Sequence, residues 1–428
     1  MKVSKFGGTS LADADQIKKV IAIVQSDPER RYVVVSAPGK RGIHDRKITD
    51  LLYEWHQKKC QLSRQIIGTR YAVIIRELGI EFDLENELDI IKRKILEGAS
   101  SDYVASRGEY LTGKILAAAL GYRFIDPATC IFFDNEGRYV KSDDLLRSVL
   151  QGQQAVIPGF YGSMPDGSIK TFSRGGSDIT GAIIASAMSA KIYENWTDVS
   201  GLLMADPRVV ESPRKIDVVT YRELRELSYM GANVFHEEAM FPVQEARVAT
   251  NIRNTNNPDD IGTFIVVERI ERENENIITG IAGRKNFTVI TVEKKMMNQE
   301  VGFVRRILAV LEANNISFEH MPSGIDTLSI IIDDKQLDGK LEKVLGEIQE
   351  DCSPDTIEAS PNMAMIAIVG QAMVHTPGVA ARVFAVLAKE RINIRMINQG
   401  SSELSIIIGI ENDDYENAVR VIYGAFVG

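Results

Sequence analysis

The feature that most constrains the fold is an internal repeat in the last third of the chain. Leu328-Ser-Ile-Ile-Ile332 recurs unchanged 76 residues later as Leu404-Ser-Ile-Ile-Ile408. At the same offset, residues 309–311 fall on residues 385–387, and both segments have the sequence Ala-Val-Leu. A repeat of this kind indicates two copies of one small structural unit.

Each copy shows the order of patterns that is typical of a small α+β module. A β-branched run at 289–292 is followed by a helical pattern over 301–312, whose apolar residues form one stripe, and then by the run 328–332. This order predicts strand, helix, strand, strand, helix and a closing strand, the ferredoxin-like βαββαβ arrangement. Neither copy has a catalytic cluster of its own, so we expect the pair to sense or to dock.

The first ~265 residues alternate short apolar strands with helices, which predicts an α/β fold with a doubly wound, largely parallel sheet. Buried strands are predicted at 31–36, 155–158 and 264–267. A densely charged segment, 268–276, indicates a domain boundary near 270–285. The predicted domains are a catalytic domain at 1–270 and two ferredoxin-like modules at 285–360 and 361–428.

Composition excludes several classes of protein. The net charge is −9 and no basic block offsets it, which argues against nucleic acid or an anionic membrane as the main partner. No apolar run reaches about 18 residues and the start of the chain has no signal-peptide core, so we expect a soluble cytoplasmic protein. The three cysteines lie far apart and the five histidines lack ligand spacing, so we expect no disulfide framework and no protein-held metal.

Two Gly-Gly turns carry the strongest chemical signal. Lys5-Phe-Gly-Gly-Thr-Ser10 and Ser173-Arg-Gly-Gly-Ser-Asp178 each combine paired glycines with charged or hydroxyl side chains beside a predicted strand or helix. Such turns let backbone N–H groups approach an anion closely. Each turn alone also fits an ordinary strand-to-helix connection, and Asp178 also fits a helix cap. Together the two turns favour phosphoryl transfer.

Other polar positions gain meaning from their place on the predicted sheet. Thr197 and Asp198 follow the predicted strand 192–196, at the end where α/β sheets bind ligands. Asp206-Pro207 is a turn former, which leaves Arg208 as a candidate contact. Glu109 and Thr49 are unremarkable in isolation.

The motifs, taken in order, resemble those of the aspartokinases of the amino-acid kinase family. The tandem repeat resembles the paired ACT domains of these enzymes. The resemblance rests on 5–10, 106–109, 174–178, 197–201, 206–209, 376–380 and 399–403. It implies ATP-dependent phosphorylation of the β-carboxylate of L-aspartate, the first step towards lysine, threonine and methionine.

The resemblance also implies a role for individual residues. Lys5, Gly7 and Gly8 would meet the transferring phosphate in the turn that includes Thr9 and Ser10, and Asp178 would position Lys5. Arg174 would bind the α-carboxylate of aspartate and Glu109 its ammonium group, in a pocket completed by Thr49, Phe160 and Ser177. Thr197, Asp198 and Arg208 would line the nucleotide site, with Mg²⁺ carried by ATP. Leu203 and Asn256 depart from the family pattern, since many relatives have an aromatic residue and some a nucleotide-binding lysine there.

The reaction fits this set of residues without a general base. A substrate carboxylate has a pKa near ~4, so it is already the nucleophile at neutral pH. The reaction then needs charge neutralisation and in-line positioning, which a lysine, backbone N–H groups and Mg²⁺ supply.

The residues alone leave two alternative functions open besides that of an aspartokinase. One is another amino-acid kinase that acts on glutamate, carbamate or a nucleotide; Glu109, Arg174 and the ACT pair count against it. The other is an amino-acid sensor without catalysis, which the presence of Lys5, Arg174 and Asp178 disfavours.

For regulation, we expect L-lysine to bind between ACT modules of two subunits. The candidate contacts are Gly302, Phe303 and Val304 at a strand–helix turn, with Ser317 and Glu319 on the next strand; Glu319 would accept from the ammonium groups of the effector. The same residues also fit a simple turn and sheet edge. Exposed edges predict a homodimer or a dimer of dimers. The sequence leaves open which amino acid inhibits.

Overall fold

A computed structural model of the protein describes residues 1–173, 175–232, 237–269 and 276–427. The chain divides into two compact units. The first comprises 1–202, 215–225 and 233–270, and the second comprises 203–214, 226–232 and 271–428. The division therefore differs from chain order, because two short segments from within the first 270 residues belong to the second unit.

The first unit contains twelve strands among its described residues. They are β1 (Lys2–Phe6), β2 (Arg30–Val35), β3 (Arg123–Phe124), β4 (Phe132–Phe133), β5 (Tyr139–Val140), β6 (Ala155–Pro158), β7 (Tyr161–Ser163), β8 (Ile169–Thr171), β9 (Ile192–Thr197), β10 (Val218–Thr220), β11 (Ala249–Asn254) and β12 (Thr263–Val266). Eight of them form the main sheet in the order β10-β12-β11-β9-β1-β2-β6-β3, and the rest form a small sheet in the order β5-β4-β7-β8. The six strands from β11 to β3 pair in parallel, whereas β12 runs antiparallel to β11. The predicted largely parallel sheet is confirmed.

The helices described between residues 14 and 245 are α1 (Ala14–Gln25), α2 (Ile48–Lys58), α3 (Gln61–Leu78), α4 (Leu84–Leu96), α5 (Ser101–Leu120), α6 (Asp143–Leu150), α7 (Gly176–Ala187), α8 (Tyr221–Tyr229) and α9 (Glu237–Glu245). The last four residues of α8 belong to the second unit. Helix α1 shows why these segments fold as they do: the Asp13 side chain accepts from the backbone N–H of Gln16 at its start, and Ile17 and Val20 are buried against the sheet. In the same core, Phe6 stacks on Trp196, so β1 and β9 share one apolar face.

The second unit is built around one antiparallel sheet of five strands, in the order β14-β13-β15-β17-β16. Its described strands are β13 (Gly280–Glu293), β14 (Thr327–Asp333), β15 (Thr356–Val369), β16 (Met396–Asn398) and β17 (Ser405–Glu411). Its helices are α10 (Phe303–Ala313), α11 (Asp334–Leu337), α12 (Leu341–Cys352), α13 (Val379–Lys389) and α14 (Tyr415–Val427). The repeated runs 328–332 and 404–408 thus occupy equivalent strands, β14 and β17.

The two ferredoxin-like modules share their two longest strands. Residues 287–293 of β13 lie between β14 and the first half of β15, whereas residues 363–369 of β15 lie between β17 and residues 280–284 of β13. The second module therefore has the strand order 4-1-3-2 of a ferredoxin-like fold, with β16 as its second strand. The first module has the order 4-1-3. Its second strand is reduced to isolated bridges at His320 and Ser323, so the strand predicted to carry Ser317 and Glu319 is not formed among the described residues.

The closing strand of the second module, 280–284, precedes the first module in the chain. The prediction that each copy supplies its own closing strand is wrong for the second copy, because residues 280–284 pair with 365–369 in that position. The proposed boundaries at 285–360 and 361–428 stay predictions. No helix in the described part of the chain is long and apolar enough to cross a membrane.

Candidate active site

The first Gly-Gly turn lies where β1 ends, beside the ends of β9 and β11. Gly7 N–H donates to the Trp196 carbonyl at 3.0 Å, and a 3₁₀ turn over Gly8–Leu11 follows. The hydroxyls of Ser10 and Thr255 are 2.7 Å apart, which ties this turn to the loop after β11. The strand ends therefore bring the predicted phosphate turn, Thr197 and the β11 loop to one edge of the sheet.

A second glycine, which no motif singled out, packs against this turn. Gly39 N–H donates to the Gly8 carbonyl at 2.7 Å. A Cβ atom on Gly8 would lie 2.9 Å from the Ala37 carbonyl oxygen, and one on Gly39 would lie 2.6 Å from the Gly8 carbonyl carbon. The buried Arg70 guanidinium donates to the carbonyls of Gly39 and Ala12, so the loop after β2 is held in place. Two glycines are thus needed here for close backbone approach.

Lys5 and Asp178 form an ion pair. The Lys5 Nζ atom lies 2.6 Å from Asp178 Oδ1, and Lys5 is only 8% exposed. Asn195 on β9 joins them: its Nδ2 donates to Asp178 Oδ1 at 2.8 Å, and Lys5 Nζ donates to its Oδ1 at 3.4 Å. Asn195 belongs to none of the sequence motifs, and its place in the strand directly before Thr197-Asp198 is the one signal that points to it.

The second Gly-Gly turn starts α7. Gly175 has the left-handed conformation, with φ 74°, and a Cβ on Gly176 would lie 2.6 Å from the Phe160 ring. Phe160 itself has φ 83°, and its N–H donates to the Thr180 hydroxyl at 3.0 Å. Ser177 packs against Gly159, where an added Cβ would meet it at 2.6 Å. Phe160 and Ser177 therefore lie close together, whereas Arg174 lies outside the described residues.

Glu109 is a buried carboxyl on α5. Burial raises its pKa to about 7, against hydrogen bonds from backbone N–H groups, chiefly that of Ala37. Its Oε2 has no hydrogen-bond partner within the described part of the chain. The neighbouring Arg107 does not pair with it, because that guanidinium stacks on Tyr103 and Tyr110. A buried acid with a raised pKa and one unpaired oxygen is typical of a site for a cationic group.

Thr49 lies near Glu109 through helix packing. It is the second residue of α2, and Ile48 and Leu52 of that helix pack at Gly108, where an added Cβ would meet both within 3.5 Å. The start of α2 therefore lies against the turn of α5 that carries Glu109.

The predicted nucleotide residues fall in both units. Thr197 ends β9 and its hydroxyl donates to Asp198 at 3.1 Å. Arg208 and Leu203 lie in segment 203–214 of the second unit, where the Arg208 guanidinium pairs with Asp206 at 2.6 Å. That segment is hydrogen-bonded to β13 and α14, since Ile281 N–H donates to the Met204 carbonyl and Arg214 N–H to the Tyr423 hydroxyl.

Asn256 lies beside Lys19, a lysine that none of the sequence motifs contains. Its Oδ1 accepts from Lys19 Nζ at 2.8 Å and from Gln16 Nε2 at 3.1 Å. Residue 256 is therefore not a lysine, but the ammonium group of Lys19, on α1, lies beside it.

The predicted effector residues lie in two places. Gly302, with φ 82°, starts α10; the Phe303 side chain is buried in the module core, and Val304 packs against that core. Ser317 bonds to Gln336 through both its N–H and its hydroxyl. Glu319 is paired with Arg284 at 3.1 Å, a partner that the sequence did not predict.

Comparisons with known families agree with this arrangement. Residues 1–254 match the amino acid kinase family, and residues 366–426 match the ACT domain. The first match covers more than half of the chain, so the chain belongs to the amino acid kinase family. Its C-terminal part contains ACT modules.

Relatives that match over nearly their whole length show which kinase of this family the chain resembles. The chain is 39% identical to aspartokinase 3 of Bacillus subtilis, over 100% of this chain and 98% of the relative. Its structure matches that of the aspartate kinase of Clostridium acetobutylicum with a TM-score of 0.95 and 53% identity, over 100% of both chains. It also matches E. coli aspartokinase III in complex with aspartate and ADP, with a TM-score of 0.75, 26% identity and 99% of both chains covered, and the same enzyme with lysine and aspartate, with a TM-score of 0.74. The chain belongs to the aspartokinases and is an aspartate kinase, a phosphotransferase.

Proposed function

We propose that this chain transfers the γ-phosphoryl group of ATP to the β-carboxylate of L-aspartate, forming 4-phospho-L-aspartate for lysine, threonine and methionine synthesis. The observation that carries the proposal is the buried Lys5 ammonium, paired with Asp178 beside the Gly7-Gly8 turn. A buried cation next to a glycine turn that can admit an anion suits a transferring phosphoryl group, whose charge is spread over its outer oxygens.

Each part of the site has a distinct task in this reaction. Lys5 stabilises the transferring phosphoryl group, while Asp178 holds the lysine in place. The Gly7-Gly8 turn, with Thr9 and Ser10, lets backbone N–H groups face phosphate oxygens, because Gly8 and Gly39 leave no room for a Cβ. Mg²⁺ bound to the nucleotide neutralises further charge.

The aspartate pocket is proposed around Glu109. Its ionised carboxylate accepts from the substrate ammonium group, and Arg174 binds the α-carboxylate bidentately. Thr49, Phe160 and Ser177 complete the walls. This arrangement presents the β-carboxylate of aspartate as the nucleophile, already ionised at neutral pH.

The nucleotide site is proposed to use Thr197, Asp198 and Arg208, with Lys19 supplying a cation at Asn256. Arg208 would exchange its present partner Asp206 for the nucleotide, an exchange that costs little because both side chains are solvent-accessible in the pair. The described residues contain no cluster of His, Cys, Asp or Glu that could hold a metal. Mg²⁺ is proposed to enter on ATP.

A coupled assay of ADP release with ATP and aspartate tests the reaction. We expect turnover with aspartate and none with glutamate. Lys5→Met should lower kcat by about a thousandfold, because it removes a charge that acts in the transition state. Lys191→Met is the matched control, since Lys191 is an exposed lysine paired with Glu29. Full activity of Lys5→Met would refute the proposed role of this lysine.

We propose feedback inhibition by L-lysine at the ACT modules of two subunits, in a homodimer or a dimer of dimers. The E. coli relative has been solved with lysine and aspartate, which supports this effector class. Gly302 and the N–H groups that begin α10 suit an α-carboxylate, and Glu319 suits an ammonium group if it leaves Arg284. Calorimetric titration with lysine, threonine and methionine decides between effectors; binding of threonine or methionine without lysine would contradict the proposal.

A further inference from the structure

The Lys5–Asp178 pair has a third member that belongs to none of the sequence motifs. Asn195 is 4% exposed on β9 and lies opposite Lys5 in the register of β1 and β9. It donates to Asp178 and accepts from Lys5. We propose that Asn195 is a positioning residue that holds the Lys5 ammonium in the direction that phosphoryl transfer requires. The inference rests on the proposed function of Lys5.

The polarity of the site explains why an amide stands here. Lysine has only donors and an ionised aspartate has only acceptors, so a side chain between them must offer an acceptor to one and a donor to the other. The Asn195 amide does both at once. A carboxylate at this position would repel Asp178, and an apolar side chain would leave both neighbours with one contact fewer.

An ion pair alone does not fix a lysine, whose four-carbon side chain has many rotamers. The strand register places Asn195 beside Lys5 on the same face of the sheet, so its carbonyl oxygen adds a second point of attachment from rigid backbone.

The same strand also holds the main chain of Asp178. Tyr193, two residues before Asn195 on β9, donates its hydroxyl to the Asp178 carbonyl at 3.1 Å. Gly181 on α7 permits this approach, because a Cβ there would lie 2.5 Å from the Tyr193 hydroxyl. Strand β9 thus anchors both the backbone and the side chain of Asp178, and through them Lys5.

Two substitutions test the role. Asn195→Leu removes both hydrogen bonds and keeps the number and branching of the side-chain heavy atoms. We expect kcat to fall about tenfold or more, with the KM values for ATP and aspartate changed less than about threefold. Asn195→Asp places a second carboxylate beside Asp178, which raises the pKa of one of the two. Once protonated, the introduced carboxyl offers a donor and an acceptor as the amide does, so the activity of this variant relative to the unchanged protein should rise as pH falls. Taking the ratio at each pH cancels the titration of Glu109, which both proteins share.

The control is Asn251→Leu, the same change at a buried amide on β11 that pairs in register with Glu194. We expect its kcat to stay within about twofold, with any effect confined to the melting temperature.

Native-like activity of a folded Asn195→Leu, combined with an inactive Lys5→Met, would overturn the inference and leave the proposed function standing. An active Lys5→Met would instead refute the function of Lys5 itself. If Asn195→Leu does not fold, Asn195→Asp decides: a relative activity that does not rise towards low pH overturns the inference.

Discussion

At the scale of single residues, the site contains two buried ionisable groups, Lys5 and Glu109, which differ in how many partners they have within the fold. Lys5 is satisfied by Asp178 and Asn195 within the fold. Glu109 has one oxygen without a hydrogen-bond partner among the described residues, and burial raises its pKa. A buried group that is satisfied in the free protein is ready to act on a ligand, whereas one that is unsatisfied gains most when a ligand arrives. This contrast supports the proposed roles, in which the lysine stabilises the transferring phosphoryl group and the glutamate binds the substrate.

Glu109 makes the pH dependence of aspartate binding a prediction at this scale. With a pKa of about 7 in the free protein, only about a tenth of Glu109 is ionised at pH 6. We expect kcat/KM for aspartate to fall about tenfold between pH 8 and pH 6, since the ammonium group needs the carboxylate. Glu109→Gln should have a much lower and flatter profile over this range. A profile of the unchanged protein that is flat down to pH 5 would contradict the role of Glu109.

The same pKa shift predicts that stability falls as pH rises, whereas aspartate binding improves as pH rises. The folded pKa of Glu109 lies above the ordinary value of 4.5, so the folded state binds more protons between pH 4.5 and 7. Its contribution to the free energy of unfolding is present below pH 4.5 and is lost as pH rises through about 7, by roughly 3 kcal/mol. Glu109→Gln should therefore raise the melting temperature more at pH 8 than at pH 5. Equal changes at the two pH values would argue against a raised pKa.

At the scale of elements, the site depends on loops that touch backbone to backbone. The β1 turn is held by the loop after β2 through Gly39, and the α7 turn by the loop after β6 through Gly159 and Phe160. These contacts join segments that are far apart in sequence. The geometry of each Gly-Gly turn is therefore set by a partner loop as well as by its own residues.

Gly39→Ala tests this coupling. The new Cβ would lie within 2.8 Å of three backbone atoms of the β1 turn, so the turn must move. We expect a loss of about 1–3 kcal/mol of stability and a fall in kcat, because the backbone N–H groups shift from the phosphate position. Gly42→Ala, in the same loop, is the control, since nothing lies within 4 Å of its added Cβ. Thermal melts and ADP-release rates measure both; a Gly39→Ala enzyme that equals the control would show that the contact has no role.

At the scale of the whole molecule, the second unit gathers segments from distant parts of the chain. Strand 280–284 closes the module whose other elements lie beyond residue 360, and segment 203–214, with Arg208, is hydrogen-bonded to the same unit. A segment proposed to bind nucleotide is thus attached to the unit proposed to bind the effector.

Gly283→Ala is expected to destabilise the second module, although residue 283 precedes the first module in the sequence. Its Cβ would lie 2.5 Å from the Met365 carbonyl oxygen and 2.7 Å from the Tyr415 ring. We expect a lower melting temperature, corresponding to about 1–3 kcal/mol, and earlier hydrogen exchange in β15 and α14. Gly346→Ala on α12 is the control, because its Cβ would meet nothing within 4 Å. Exchange that increases only in residues 287–352 would contradict the shared-strand arrangement.

Much of the fold and site could be predicted from local patterns. Apolar runs located β2, β6 and β12, the repeat located β14 and β17, and the glycine turns located Lys5 and Asp178, because each signal lies within a few neighbouring residues. Asn195, Gly39 and the Glu319–Arg284 pair could not be predicted in this way. Each depends on which strand or loop lies beside it, and that is a property of the folded chain.

The sequence by itself determined the class of fold, the repeat and the motif residues, since periodicity and turn chemistry are local. Only the tertiary structure decided which side chains meet. The parallel register of β1 and β9 places Asn195 beside Lys5, and close packing requires a glycine at position 39 beside Gly8. The antiparallel pairing of β13 with β15 makes residues 280–284, which precede the first module in the chain, the closing strand of the second module. The physical reason is that hydrogen bonds and packing between distant segments are specified by the sheet as a whole.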